Sequence, residues 1–380
     1  MKRIKLVCMY DMLDSKFKRR YILAATTKID YIVASLNSIG YSVDIISAAE
    51  AEGGNLAFSK TKTINLGCNT LTLFGCCSLY FKRLSRNISV RQVVSKFEKY
   101  CKNNICEGDI VIAYHSPRYA SFFKSLRNEV NFTLIGEIEE IYQDVHSMGY
   151  IYNQAEYEFF KICDKYIFPT GLLNDKLNYN NDKKSIIIHG LYNIVEDLGE
   201  KFDDNKIHVV YAGTFDLQKG GAAAAAAAAV YLPENYHIHI CGFGSEEATI
   251  YIKEIIEETQ KTAKAKISFE GLLSGEEFIR FIQKCEIGLS TQNPDAAFNA
   301  TSFPSKILNY LSNGLKVVTI DIPAIRQSDV GNYLFYYNSQ APESIACAIV
   351  EAHGKSGYDG RSLLRQLDMK FQAELNQFLN

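Results

Sequence analysis

Proline is scarce, with seven residues in 380, and aromatic residues are plentiful, so the composition gives no sign of a disordered chain. No apolar stretch approaches the roughly 20 residues that a membrane-spanning helix needs. The opening apolar run, Ile4 to Tyr10, is too short and too soon interrupted to be the core of a signal peptide. The reading is therefore a cytosolic protein. Paired Cys-x-x-Cys motifs are also missing. The ten cysteines lie mostly within apolar runs, as do Cys8, Cys163, Cys241 and Cys347, which suits small core residues in a reducing compartment better than a disulfide framework or a zinc site. A net charge of −2 gives no reason to expect a nucleic-acid partner.

What is present is length, apolar content and a charge asymmetry. At 380 residues and 47% hydrophobic, the chain can build two cores. Residues 1–104 hold 17 Lys and Arg against seven Asp and Glu, which leaves the remainder acidic. The basic residues cluster in KFKRR, Lys16 to Arg20, and between Phe81 and Lys102. A solvated basic face accounts for this, and so does attraction to an anionic membrane surface at the inner leaflet.

Strand and helix patterns alternate through both halves. The first runs from KRIKLVCMY through ATTKIDYIVASLNSIG, YSVDIISA, DIVIAYHS and FTLIGEIEE to KYIFPT, with a hairpin read at INLGCNTLTLFG. After the acidic stretch 193–206, taken as a linker, the alternation restarts at IHVVYAG and continues through YHIHICG, KISFEG, EIGLSTQ and KVVTID. The eight alanines 222–229 predict helix. Such alternation predicts parallel sheets covered on both faces. The expected domains are 1–195 and 206–361, with a final amphipathic helix over 362–380 packing back on the first.

Four turns in the second half suit an anionic ligand. YAGTFDLQKGG follows a strand, with Gly213, then Lys219 just before a helix whose positive end suits a diphosphate. ICGFGSEE offers Gly242 and Gly244, though Glu246 and Glu247 would repel phosphate. FEGLLS brings Gly271 and Leu272 to a third strand end, where backbone groups could pair with a base. SFPSKILNYLSNGLKVV places Pro304 in the first turn of a helix, followed by Ser305 and Lys306, with Asn313-Gly314 as its stop. A lysine in a first helical turn opposes the helix dipole, and a bound anion would relieve that. Each turn is also an ordinary strand–helix connection. His237 and His239 alternate within an apolar strand and read as packing residues.

As a set, AGTFDLQKGG, IHICGFG, FEGLLSGEEF and FPSKILNYLSNGLKVV resemble glycosyltransferase family 4, and the likeness is to bacterial enzymes that build surface polysaccharide. The resemblance implies the GT-B fold, two Rossmann-like domains facing a central cleft. It also implies transfer of a sugar from a nucleotide sugar, UDP-linked foremost, to a saccharide or lipid-linked acceptor, with retention and without a metal or other cofactor. The Asp-x-Asp metal motif of the other large transferase class is absent. Carried over by position, Lys219 would hold the donor diphosphate, and Phe303, Pro304, Ser305 and Lys306 would offer backbone groups to phosphate or sugar. The family's two glutamates are replaced by Thr301, facing the donor sugar, and Asn309, at the ribose. Its arginine is replaced near Thr214 and Phe215. In the first half, His115 ends a strand where similar transferases carry a histidine against the donor sugar. Glu137, Glu139 and Glu140 end the next, and Glu139 would orient an acceptor hydroxyl. A structural His115 and surface acids remain open. Two rival readings are a GT-B sugar-nucleotide epimerase and a nucleotide-sugar-binding partner subunit without turnover.

Overall fold

The computed structural model describes residues 2–12, 16–145, 150–216, 220–293 and 297–380. The chain divides into two compact units. One comprises residues 1–169, 173–188 and 371–380, and the other residues 170–172 and 189–370. The acidic stretch 193–206 lies inside the second unit, and the last ten residues belong to the first.

The first unit's strands are β1 (Lys2–Cys8), β2 (Tyr41–Ser47), β3 (Ala57–Phe58), β4 (Lys62–Leu66), β5 (Asn69–Leu73), β6 (Cys77–Ser78), β7 (Ile110–Tyr114), β8 (Thr133–Glu137), β9 (Lys165–Phe168) and β10 (Ser185–Ile187). Eight of them form one sheet in the order β10-β9-β8-β7-β1-β2-β5-β4. The sheet is parallel except at the β4–β5 hairpin, whose two-residue turn at Gly67-Cys68 has Gly67 at φ 65°. β3 and β6 form a separate antiparallel ribbon. β-Branched and aliphatic residues bury β1, β2 and β7 on both faces, as a sheet covered by helices requires. The core beneath is rich in aromatics, among them Phe74, Phe97, Phe122, Phe123 and Phe159. Phe371 of the C-terminal helix stacks on Tyr31, with ring centroids 5.9 Å apart.

The second unit's strands are β11 (Ile207–Phe215), β12 (Tyr236–Gly244), β13 (Lys266–Gly271), β14 (Ile287–Ser290), β15 (Lys316–Ile320) and β16 (Phe335–Tyr337). They form one parallel sheet in the order β13-β12-β11-β14-β15-β16. The first strand lies inside the sheet, and the direction of winding reverses between β11 and β14. In open α/β sheets, ligands bind at such a reversal, beyond the carboxyl ends of the strands. The alanine tract forms the helix Gly221–Ala227 and a following 3-10 turn, with Ala225, Ala226, Ala228 and Ala229 fully buried.

All ten cysteines are unpaired thiols. Cys8, Cys163 and Cys241 are buried as expected, but Cys347 is exposed. The helix Pro342–Gly354 buries Ile345, Ala346, Ala348, Ile349 and Ala352, and position 347 falls on its other side. The basic run 16–20 is not wholly a solvated face either. Arg19 is buried and donates to the carbonyls of Ala49 (2.8 Å) and Phe74 (2.7 Å). Among the described residues, no helix is long and apolar enough to cross a membrane.

Candidate functional site

At the reversal in the second sheet, two distant motifs meet. Lys306 stands in the first turn of the helix Ser305–Ser312, which follows β14. Its Nζ lies over the Tyr211 ring at 4.1 Å from the centroid. A Cβ added to Gly213 would come within 2.9 Å of the same Nζ. Gly213 thus lies within the strand, against the lysine head group, and makes no turn. β11 continues through it to Phe215, paired with Gly242–Gly244. The cation–π contact contributes about 0.5–1 kcal/mol, enough to offset the few tenths that a lysine costs near a helix N-terminus. Burial pushes the Tyr211 hydroxyl up to about 12, so it stays neutral beneath the ammonium.

The turn after β11 is tied to the same place. Gly221 opens its helix with no room for a side chain, since a Cβ would lie 2.4 Å from the Thr291 carbonyl. The Thr291 hydroxyl donates to the Gly221 carbonyl at 2.6 Å. Lys219 lies outside the described residues. Thr214 is exposed beside this strand end, and its carbonyl accepts from the Tyr211 hydroxyl at 3.3 Å.

Gly242 and Gly244 belong to β12 itself and not to a turn beyond it. A Cβ on Gly242, whose φ is 148°, would fall 1.8 Å from the Gly213 carbonyl oxygen, and one on Gly244 would fall 2.7 Å from that of Phe215. The helix that follows is capped by its own Ser245, whose hydroxyl accepts from the Ala248 amide at 3.1 Å. With Glu246 and Glu247 in its first turn, it is closed to phosphate. Gly271 ends β13 at φ 69°, opposite a register shift in β12, and Leu272 is exposed.

In the fourth motif, Pro304 precedes the helix as its N-cap (φ −71°, ψ 108°), and Ser305 is the first helical residue. The extended ψ of Pro304 keeps it out of the first turn where the sequence reading had put it. No side chain caps this helix, and its third amide, that of Ile307, donates to Pro304 O at 3.1 Å. At its other end, the Gly314 amide donates to Leu311 O and the Leu315 amide to Tyr310 O, both at 3.0 Å, with Gly314 at φ 85°. That is the expected left-handed stop. Asn309 is exposed three residues after Lys306, on the same side of the helix. Thr301 is buried, its carbonyl accepting from the Thr170 hydroxyl at 2.6 Å. Phe303 is buried against His189, with ring centroids 5.0 Å apart.

The first unit's candidates behave differently. His115 is 2% exposed and stacks on Tyr142 at 4.3 Å, with Phe159 and Phe160 on the same ring. Its Nε2 lies 3.2 Å from the buried Glu156 Oε1, at an angle too poor for a hydrogen bond. Glu156 instead accepts from the Tyr142 amide at 2.7 Å and from Gln143 Nε2 at 2.9 Å. Despite its burial, the adjacent His115 ring and the bonds from Gln143 and Tyr142 hold the Glu156 carboxyl below its usual range. Glu139 forms an ion pair with Lys28, whose Nζ also lies 2.8 Å from Glu137. Lys28 and Glu137 are both buried. The acids at this strand end therefore neutralise a buried lysine instead of standing free.

Sequence reasoning missed three groups here. Lys28 gave no signal, being one lysine within a helix. Tyr310 is fully buried, accepts from the Ala212 amide at 2.8 Å and donates to Leu289 O at 3.1 Å, fixing the Lys306 helix to β11 and β14. A tyrosine in the apolar stripe was its only trace. His208 completes a cluster with His237 and His239, the one group of metal-capable side chains found among the described residues.

No family model and no curated protein sequence matches the chain. Solved structures do. One, described as trehalose-6-phosphate from E. coli bound with UDP-2-fluoro glucose, matches at TM-score 0.67 and 13% identity, over 99% of this chain and 98% of the other. A sucrose-phosphate synthase from Thermosynechococcus elongatus matches at TM-score 0.67 and 12% identity, over 99% and 98%. An alpha,alpha-trehalose 6-phosphate synthase from Burkholderia multivorans matches at TM-score 0.65 and 12% identity, over 100% and 96%. The chain has the GT-B fold. Within that fold, the second unit's strand order is that of a Rossmann domain with its switch point at Gly213 and Lys306.

Proposed function

We propose that this chain is a glycosyltransferase that moves a sugar from a UDP-sugar to a saccharide or lipid-linked acceptor, retaining the anomeric configuration. The meeting of Lys306 Nζ with Gly213 at the second sheet's switch point carries the reading. A diphosphate there would meet a fixed ammonium, the uncapped amides of the helix Ser305–Ser312 and, by the sequence, Lys219. These groups stabilise the charge that develops on the leaving nucleoside diphosphate. They do so without a metal. Leu272, exposed at the end of β13, would cover the face of the base, and Asn309 would reach the ribose.

The structural neighbours support the choice of ligand. The E. coli protein is bound with UDP-2-fluoro glucose, and a trehalose-phosphate synthase from Burkholderia xenovorans is in complex with glucose-6-phosphate. The resemblance of the four motifs supports family 4 and polysaccharide biosynthesis as the finer reading. Contact with a membrane that carries the acceptor is supported by exposed Leu56, Phe58, Tyr80, Phe81 and Leu84 around exposed Lys82 and Arg83. Co-sedimentation with anionic vesicles, lost in Phe81→Ser, tests that contact.

One observation favours a second reading, a donor-binding partner that does not turn over. Thr301 and Asn309 stand where the resembled family has glutamates, and Thr301 is buried. An epimerase would need carboxylates at the same place. Calorimetry with UDP, followed by assays of hydrolysis and transfer across several UDP-sugars, separates the readings. UDP binding with transfer supports the enzyme, and UDP binding without turnover of any donor supports the partner. Absence of UDP binding overturns both.

A further inference from the structure

The face of the second sheet carries three buried histidines outside the switch point. His208 is the second residue of β11, and His237 and His239 are the second and fourth of β12. All three are at most 5% exposed. Each ring offers one nitrogen to a group whose atoms lie within 4.8 Å of one another. Each ring's other nitrogen is held by an oxygen. His208 Nε2 lies 2.8 Å from Asp204 Oδ1, His239 Nδ1 lies 2.7 Å from Glu270 Oε1, and His237 Nε2 lies 2.7 Å from Ser268 Oγ. Phe202 stacks over His208 at 3.9 Å, and Phe281 meets His239 edge-on.

The hydrogen-bonding of this cluster does not close on itself. A carboxylate accepts only, so His208 donates from Nε2 and His239 from Nδ1. In the neutral rings, that puts the lone pairs of His208 Nδ1 and His239 Nε2 face to face at 2.8 Å. His237 Nδ1, also buried, has no hydrogen-bond partner among the described residues. The Ser268 hydroxyl can accept from His237 Nε2, which leaves a lone pair on Nδ1 too, and a cation in this dry space would satisfy all three rings. The outer partners reproduce the arrangement that orients metal-binding histidines, with a carboxylate or hydroxyl on the far nitrogen of each ring.

We propose that His208, His237 and His239 bind a first-row transition-metal ion, with zinc the best match to three neutral imidazoles. Zinc–nitrogen bonds of about 2.0–2.1 Å in a tetrahedral site set the nitrogens about 3.3 Å apart, so the 2.8 Å pair opens by about half an ångström. The ion clamps β11 to β12 and, through Glu270 and Ser268, reaches β13. Three protein ligands leave the fourth position to a water or small anion. His239 precedes Gly242, which pairs with Gly213, by three residues, about 10 Å along the strand, so the site is distinct from the switch point.

The test uses the full chain without a histidine tag, stripped with chelator, equilibrated with Zn2+ and dialysed. About one zinc per chain remains in the wild type and in His353→Gln, a variant of an exposed histidine outside the cluster. Less than about a fifth of that remains in His237→Gln and His239→Gln. Asp204→Asn alters only an exposed partner and binds zinc about tenfold more weakly. Co2+ gives the wild type a tetrahedral visible band that His239→Gln lacks. The proposal is overturned if the wild type retains no zinc, or if His239→Gln and Asp204→Asn bind as the wild type does. It is also overturned if nitrogen-15 spectra show an imidazolium at the His208–His239 pair that Zn2+ does not displace.

Discussion

Both units wind in the same way. The first strand lies inside the sheet, its neighbours run outward to each side, and a switch point opens between β1 and β7 in one unit and between β11 and β14 in the other. The two switch points are used in opposite ways. Beside β7, the chain fills the space with its own side chains, as His115 enters an aromatic stack and Lys28 is neutralised by Glu137 and Glu139. Beside β11, it leaves backbone, a bare Gly213 and a lysine resting on a tyrosine ring. Where the chain satisfies its own polar groups, the strand end becomes part of the core. Where glycine and uncapped amides are left, it can take a ligand. Shared topology therefore does not make the two strand ends equivalent, and the difference lies in side-chain volume.

The comparison can be broken most severely at Gly242. Gly242→Ala drives a methyl into the Gly213 carbonyl. It should destabilise the second unit by about 3 kcal/mol or more and abolish UDP binding. Urea unfolding followed by a UDP titration checks both, and a variant with native stability would show that the two strands do not approach as described. A smaller effect is expected at the filled switch point. His115→Ala empties a stacked position and should cost the first unit about 2–3 kcal/mol, seen in its unfolding transition, while UDP affinity stays unchanged.

The smallest effect concerns the support of Phe303. His189 lies against Phe303 and accepts from the Asp329 amide at 3.2 Å. The His189 ring beside it and the Lys370 ammonium bonded to it hold the Asp329 carboxyl down at about 2. A carboxyl lowered in the folded state stabilises fully above its unfolded value near 3.8, and the gain is lost as pH falls through about 2. The carboxylate is about a third exposed, so screening leaves about 1 kcal/mol. Wild type should exceed Asp329→Asn by that amount at pH 6, and the two should converge near pH 2, in parallel urea titrations.

Features that depend on neighbours in sequence were legible. Alternation indicated two parallel sheets, the hairpin in INLGCNTLTLFG was legible with its turn read at Cys68-Asn69, one residue beyond the observed Gly67-Cys68, and Asn313-Gly314 stopped its helix through bonds to residues three and five positions back. Of the four glycine and lysine motifs, those of Gly213, Gly242 and Lys306 meet, and Gly242 does so from within β12 and not from a turn. Features that depend on distant partners were not legible. Lys28 finds its carboxylates more than a hundred residues away. Tyr310 reaches across to Ala212, and His208 meets His239 only because β11 and β12 pair in that register. His115 illustrates the same limit. Its position at a strand end was readable, but the rings of Tyr142, Phe159 and Phe160 that enclose it were not.

The contrast between the two switch points reduces to one titration, UDP into the full-length protein, compared among wild type, Lys306→Met and His115→Ala. Lys306→Met keeps the stem over Tyr211 and removes the charge. It should weaken UDP by at least about tenfold, the loss of one charge-assisted hydrogen bond, with no change in melting temperature. His115→Ala should bind as the wild type does. Equal affinity in Lys306→Met, or loss of binding confined to His115→Ala, would contradict the account.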